Sequence, residues 1–309
     1  MNATPSLALG IDLGGTKIEA RLLQLDGKEI WRQRRATPTA DYAAILRTVS
    51  DLVAAARSAA AGQAFTVGVG SPGTGTASGL MKNCNSSCLN GMPLQADLEQ
   101  TVGQSIKLAN DANCLALAEA TDGAGAGAAV VFAAILGTGA GAGIAVHGRV
   151  LTGPNGLAGE WGHNTLPFAR DAEDPVFECY CGQRGCIETL VSGPGMARDH
   201  LFVNQETLTA EQIAGRAAVG DPACLATLAR HTQRLARALA SVINLLDPDV
   251  IVLGGGLSLM PHLCTEVPAL WGQWVFSGGL RDPVRTRLLP SRWGDASGAR
   301  GAAWLGSQE

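Results

Sequence analysis

Between Leu7 and Ile30 the chain reads LALGIDLGGTKIEARLLQLDGKEI: an apolar run, a glycine turn, then a second apolar-rich run that breaks at Asp26-Gly27. Apolar runs of this length bounded by glycine predict two strands, and the Asp-Gly pair predicts a tight turn after the second. The phrase returns in degenerate form from Val130, where VVFAAILGTGAGAGIAVHGRVL gives apolar strand, glycine turn, strand and a turn at His147-Gly148. A phrase that recurs so far along the chain predicts two domains of like topology, not one continuous sheet.

Between the two copies, apolar residues recur at helical spacing from Tyr42 to Ala61, TVGVGSPG reads as a strand running into a loop, and IKLAND as a strand feeding the helix of ANCLALAEA. Further on, Leu225 to Leu246 predicts a long amphipathic helix stopped by Asp247-Pro248, followed by the buried strand VIVL and by Gly254-Gly255-Gly256. The last clear element is a short apolar helix, Ala299 to Leu305, placed to pack back on the N-terminal domain. Strands and helices alternate, so the fold class is α/β. The expected division is a smaller N-terminal domain over residues 1–109, joined by the C-terminal helix within 296–309, and a larger domain over 110–295. No Pro/Ser-rich linker marks the boundary, which comes from the repeat.

Composition narrows the partners. With 46% hydrophobic residues in 309, the chain has ample material for two cores. Its 40 glycines gather next to apolar runs, which points to backbone closely approaching a ligand or other backbone. A net charge of -4 and the lack of a lysine or arginine block argue against nucleic acid or an anionic membrane as the partner. The run Arg32 to Arg35, RQRR, reads as a solvated strand end. No apolar run reaches the ~18 residues of a membrane span, and MNATPSLALGID lacks the basic start and long apolar middle of a secretion signal, so the expected location is the cytoplasm. There the eight cysteines would stay reduced, which weighs against a disulfide framework and makes metal binding the alternative.

A strand ending in Asp12-Leu-Gly14-Gly15-Thr16-Lys17 offers bare amides, a hydroxyl and an ammonium in one turn, a combination suited to phosphate. Asp12 fits beside a phosphate only with Mg2+ or ordered water between them. GGTK lacks P-loop spacing and opens no helix in the Rossmann manner, so a plain hairpin turn stays an alternative. In the second copy Gly137-Thr138-Gly139 repeats the turn without the carboxylate. Two such turns facing each other across a cleft, one acidic and one neutral, would make a nucleotide clamp with its metal on one side. Gly254-Gly255-Gly256 after a buried strand is either a third point of approach, beside the adenosine, or a tight strand-to-helix connection.

Asn110-Asp111 stands where a strand gives way to a helix. Asp111 is the best-placed carboxylate to take the proton from an attacking hydroxyl in phosphoryl transfer, and it could equally be the helix N-cap. Cys179, Cys181 and Cys186 place three soft ligands in one loop, with Gly182 and Gly185 allowing the backbone to fold round an ion. His163 in GLAGEWGHN would complete a Cys3His zinc site, while the CxC spacing departs from the usual CxxC and a Cys181-Cys186 disulfide stays open. Glu160 and Glu188 flank the cluster, and a pinned loop would hold them rigidly enough to discriminate sugar hydroxyls. The remaining cysteines, and His147, His200, His231 and His262, read as packing or surface residues.

Together, LGIDLGGTK, VGSPG, LANDAN, ILGTGAGAGI, GLAGEWGHN, CYCGQRGCIE and VIVLGGG resemble, in order and over nearly the whole chain, the ROK sugar kinases. The wording NCNSSCLNGMPL and LTGPNGLAGEWGHN looks closest to bacterial fructokinases and mannokinases of that family. The resemblance implies an actin-like ATPase (ribonuclease H-like) duplicated two-domain fold with an interdomain cleft. It further implies Asp111 as general base toward a hexose 6-hydroxyl with Asn110 beside it, and Glu160, His163 and Glu188 on the other hydroxyls. Asn83 and Gly73 would border the sugar, and His163, Cys179, Cys181 and Cys186 would hold Zn2+. Asp12, Gly14, Gly15, Thr16, Lys17, Thr138, Gly139 and Gly255 would line ATP and its Mg2+. GTGAGAG carries alanines where relatives often have glycine.

The implied reaction is ATP-dependent phosphorylation of fructose or mannose, with glucose or an N-acetylhexosamine as alternative acceptors, by a homodimer. Of the other classes in the family, a repressor needs a DNA-reading domain before the first strand, for which this sequence has no room. A noncatalytic sugar sensor is disfavoured by Asp111 and the two glycine turns.

Overall fold

The computed structural model describes residues 5–170, 173–280 and 282–308. The remaining positions, which the expected domain ranges include, lie outside the described residues. In chain order the first part comprises β1 (Leu7–Leu13), β2 (Lys17–Gln24), β3 (Glu29–Ala36), α1 (Tyr42–Ala59), β4 (Phe65–Ser71), the two-residue strands β5 (Thr74–Gly75) and β6 (Met81–Lys82), α2 (Leu94–Val102), β7 (Ile106–Asn110) and α3 (Asp111–Thr121). Then come β8 (Val130–Leu136), β9 (Ala140–Val146), β10 (Arg149–Val150), α4 (Glu188–Val191), α5 (Gly193–Asn204), α6 (Ala210–Ala218), α7 (Pro222–Leu246), β11 (Val250–Gly254), α8 (Leu263–Leu270), β12 (Arg287–Pro290) and α9 (Ser297–Ser307).

One five-stranded sheet has the order β3-β2-β1-β4-β7 and the other β10-β9-β8-β11-β12, so the same strand arrangement occurs twice. In the first, β1 pairs antiparallel with β2 and parallel with β4, which pairs parallel with β7. In the second, β11 runs parallel to both β8 and β12. The expected duplicated α/β architecture is present, and the degenerate repeat of the sequence is its trace.

The chain divides into two compact units. The first holds the described residues up to Gly127, Gly143–Ala158 and those from Arg292 onward; the second holds Ala128–Ala142 and Gly159–Ser291. The division falls inside β9, after Ala142.

Within the first unit, β1 is buried at almost every position because both faces of the sheet are covered, which explains its continuous apolar run. On one face lie Ile45, Val49 and Leu52 of α1 and Leu94 and Leu98 of α2. Asp41 caps α1, its side chain accepting from the Ala44 amide. On the other face α9 lies against β1 and β4. There a Cβ at Gly10 would stand 1.8 Å from the Ala299 carbonyl oxygen and one at Gly68 1.9 Å from that of Ala302. Helix and sheet therefore meet backbone to backbone, and these glycines serve packing. Beneath α9, α3 is buried on all sides from Ala112 to Ala120, so apart from Asn113 and Glu119 its residues there are apolar.

In the second unit α7 starts at an Asp221 cap with Pro222 in its first turn and stops where Asp247 turns left-handed ahead of Pro248. The strand VIVL follows as β11, buried throughout. A buried ion cluster ties α7 to the loop before the cysteines: Arg234 and Arg237 both bind Asp174, at 2.9 and 2.7 Å. No described helix is long and apolar enough to cross a membrane.

Candidate functional site

In the first unit, the glycine turn leaves β1 directly after Asp12 and Leu13 and returns as β2 at Lys17. The Gly14 amide donates to the Lys17 carbonyl at 3.0 Å, and the Thr37 hydroxyl donates to the Gly14 carbonyl at 2.7 Å, so the loop is held from inside and from β3's end. Lys17 pairs with exposed Asp295 at 3.3 Å. A Cβ on Gly298, the second residue of α9, would come 2.6 Å from Asp12 Oδ2. Burial, and next the charge of Asp111, push Asp12 up to about 6, with Lys17 opposing. An ionised Asp12 at neutral pH is thus short of positive charge.

Asn110 and Asp111 take different roles at the start of α3. Asn110 is the cap: its side-chain oxygen accepts from the Ala112 amide at 2.8 Å and its amide donates to the Gly73 carbonyl at 3.1 Å. Asp111 is the first helical residue, exposed, with Oδ1 2.8 Å from the same Ala112 amide. The alternative of Asp111 as the N-cap is therefore resolved in favour of Asn110. Gly73 has φ +75°, and a Cβ there would stand 2.3 Å from the Lys82 carbonyl and 2.6 Å from Cys84 Sγ. That closeness brings Asn83, itself left-handed at φ +59° and exposed, back beside Gly73. Asn83, Gly73, Asn110 and Asp111 are thus assembled in one region of this unit.

In the second unit, the turn Gly137-Thr138-Gly139 closes on itself through the Gly137 amide and the Gly139 carbonyl at 2.9 Å. The Ala140 amide donates to Glu188 Oε2 at 2.8 Å, and the Gly193 amide to the Gly137 carbonyl at 2.8 Å. Gly255, at φ +80°, presses on β8: a Cβ there would lie 2.4 Å from the Leu136 carbonyl oxygen. Its close approach is to backbone.

Glu160, exposed, precedes the short turn Trp161–His163. That turn is jammed against β9. A Cβ on Gly162 would stand 1.8 Å from the Ala140 carbonyl, and the Trp161 indole donates to the Gly141 carbonyl at 2.8 Å. His163 is thereby delivered to the cysteine loop. One ligand atom from each of His163, Cys179, Cys181 and Cys186 lies within 4.8 Å of all the others. His163 Nδ1 stands 3.6 Å from Cys179 Sγ, and the Cys181 and Cys186 sulfurs are 3.7 Å apart, too far for a disulfide. A tetrahedron with Zn–S of about 2.3 Å and Zn–N of about 2.0–2.1 Å has edges of about 3.8 Å between sulfurs and about 3.6 Å from sulfur to nitrogen. The donor set fits that ion. Burial and the adjoining thiols push Cys186 up to about 12, while the Gln183 amide holds exposed Cys181 below the usual thiol range. Ionising all three thiols together requires a cation in their midst.

One neighbour of this set escapes a reading by residue type. Tyr180, 84% exposed, points its hydroxyl at His163 Nε2, 3.1 Å away, with the rings edge to face at 5.3 Å. Its position between two cysteines of the cluster was the signal available in the sequence. The Ala140 and Gly193 amides, being backbone, left none.

A model of the ROK family matches residues 8–309. The N-acetyl-D-glucosamine kinase of Yersinia enterocolitica serotype O:8 / biotype 1B is 38% identical over 301 residues, spanning 96% of this chain and 98% of its own. The ROK hexokinase from Thermus thermophilus superposes with a TM-score of 0.83 at 28% identity, covering 97% of each chain. A ROK family glucokinase from Streptomyces griseus, crystallised with glucose and AMPPNP, gives 0.75 at 27% identity, covering 98% of this chain and 100% of its own.

Proposed function

Since the chain belongs to the ROK family, we propose that it is a cytoplasmic, ATP-dependent kinase that transfers the γ-phosphoryl group to the 6-hydroxyl of N-acetyl-D-glucosamine. The observation that carries this reading is the end-to-end likeness, at 38% identity, to an N-acetyl-D-glucosamine kinase. It favours the alternative acceptor, an N-acetylated hexose, over fructose and mannose, which local wording suggested.

Asp111 takes the proton of the attacking hydroxyl as its oxygen bonds to the γ-phosphorus and ADP departs. The capping task already belongs to Asn110, and Asp111 is exposed; both support this role. Asn110 fixes the start of α3 and, with Asn83 and Gly73, borders the sugar; Glu160, His163 and Glu188 contact its other hydroxyls. The two glycine turns receive the phosphates. Mg2+ held near Asp12 would supply the positive charge that a carboxylate pushed up to about 6 lacks. Zn2+ on His163, Cys179, Cys181 and Cys186 would supply a fixed crosslink for the loop that carries His163 and leads to Glu188. The reading includes a homodimer.

The test is ADP release with ATP and Mg2+ against N-acetylglucosamine, N-acetylmannosamine, glucose, mannose and fructose. The expected result is a kcat/KM for N-acetylglucosamine at least about tenfold above that for fructose, since a site built to hydrogen-bond an acetamido group leaves polar atoms unpaired with other sugars. Preference for fructose overturns the acceptor. Silence with every sugar, from folded protein containing zinc, overturns the kinase and leaves a sugar sensor.

A further inference from the structure

Beyond binding sugar, we infer that Glu188 is the residue that positions the Gly137–Ala140 turn and couples nucleotide binding to sugar binding. The inference rests on the kinase reading for its ligands but on the second unit alone for its geometry. The turn is held at two points by one short segment. The Ala140 amide donates to Glu188 Oε2 at 2.8 Å, and six residues of chain that begin with Glu188 end at Gly193, whose amide donates to the Gly137 carbonyl at 2.8 Å. Between these points Gly139 has no room for a side chain, because a Cβ there would lie 2.6 Å from Glu188 Oε2. The carboxylate is packed into the turn as well as bonded to it.

Glu188 stands on a fixed mount. The Thr189 hydroxyl donates to the carbonyl of Cys186 at 2.7 Å, and His231 Nε2 meets the carbonyl of Val191 at 2.9 Å, so α4 is held at both ends. Among the described residues Glu188 makes one side-chain hydrogen bond, to Ala140, which leaves Oε1 for a sugar hydroxyl. A sugar hydroxyl on Oε1 holds the carboxylate against the Ala140 amide on Oε2, so sugar strengthens the hold on the turn that phosphates would meet. Coupling of this kind is reciprocal: nucleotide must tighten sugar by the same factor.

Calorimetric titration of Mg-AMPPNP and N-acetylglucosamine, separately and together, tests this. Wild type should bind AMPPNP at least about fivefold more tightly when sugar is present. Gly139→Ala is the deciding variant, because its methyl meets only the end of the Glu188 side chain on ordinary backbone, so the protein folds with the carboxylate displaced. Although Gly139 belongs to the phosphate turn, its variant should lose sugar affinity at least about fivefold and lose the coupling. Wild-type sugar affinity and coupling in Gly139→Ala overturn the inference. If wild type binds no sugar, the acceptor reading fails and AMPPNP alone decides. Glu188→Ala should weaken it, and Glu188→Gln, which keeps an acceptor for Ala140, should restore it. Unchanged affinity in the alanine variant, or equal loss in both, overturns the positioning role.

Discussion

His163 Nδ1 and Cys179 Sγ lie 3.6 Å apart although the residues come from separate loops. They meet because Gly162, with no Cβ, lets the Trp161–His163 turn press directly on β9. Wild-type protein should carry one zinc ion per chain. Cys181→Ser should lose it, and the melting temperature should fall by about 5 °C or more, since the binding energy of a structural ion is also folding energy. Metal analysis of the purified variant checks this. A full complement of zinc would remove Cys181 from the ligand set.

Asp111→Ala removes the proposed base and leaves the Asn110 cap, its bond to Gly73 and hence the start of α3 intact. The expected outcome is a kcat lower by about 10²- to 10⁴-fold with the sugar dissociation constant within about threefold of wild type. Steady-state kinetics paired with calorimetry separates the two effects. A kcat near wild type would sink the assignment.

His231 makes the protein sensitive to acid. Burial holds its pKa down at about 4 against an ordinary 6.5, opposed by its hydrogen bond to the Val191 carbonyl and aided by the positive potential of His262 and Arg234, and its Nδ1 has no acceptor among the described residues for a second proton. Between these two pH values the unfolded chain binds more protons than the folded one, so stability rises with pH across the window. The contribution is fully present above pH 6.5 and is lost as pH falls toward 4. His231→Gln keeps a donor for the Val191 carbonyl and removes the titration. Between pH 7 and pH 4.5, wild type should therefore lose about 2–3 kcal/mol more than the variant in urea unfolding. Parallel pH profiles for the two proteins would contradict the buried, neutral imidazole.

The repeated strand-turn-strand phrase was legible because strands buried on both faces are written in unbroken apolar runs, as in β1 and β8, and glycine marks the turns between them. The His163, Cys179, Cys181 and Cys186 cluster was legible because its cysteines are close in sequence. Other parts depend on tertiary detail that leaves no local trace. That Asn110, not Asp111, caps α3 depends on where β7 ends, and two adjacent residues that both favour capping look alike in sequence. Local wording around NCNSSCLN pointed to fructose or mannose, whereas the likeness over the whole chain favours an N-acetylated hexose; the side-chain geometry that would choose between acceptors is not encoded in short phrases. Helices α5 and α6, with mixed faces and ordinary caps, stood out less than α7.

Glycine itself carries the last prediction, because this chain uses it in opposite ways. At Gly68 an added Cβ would lie 1.9 Å from the Ala302 carbonyl oxygen, a backbone atom of α9 that cannot rotate away. At Gly215, inside α6, a Cβ would meet nothing within 4 Å. The same substitution must therefore have opposite signs. Gly68→Ala forces α9 off the sheet and should cost about 3 kcal/mol or more, a melting temperature lower by about 6–12 °C. Gly215→Ala gains helix propensity and gives up backbone freedom only in the unfolded chain, so it should add about 0.5–1 kcal/mol. Thermal melts of the two variants beside wild type decide the matter. A harmless Gly68→Ala would mean that α9 does not meet β4 backbone to backbone.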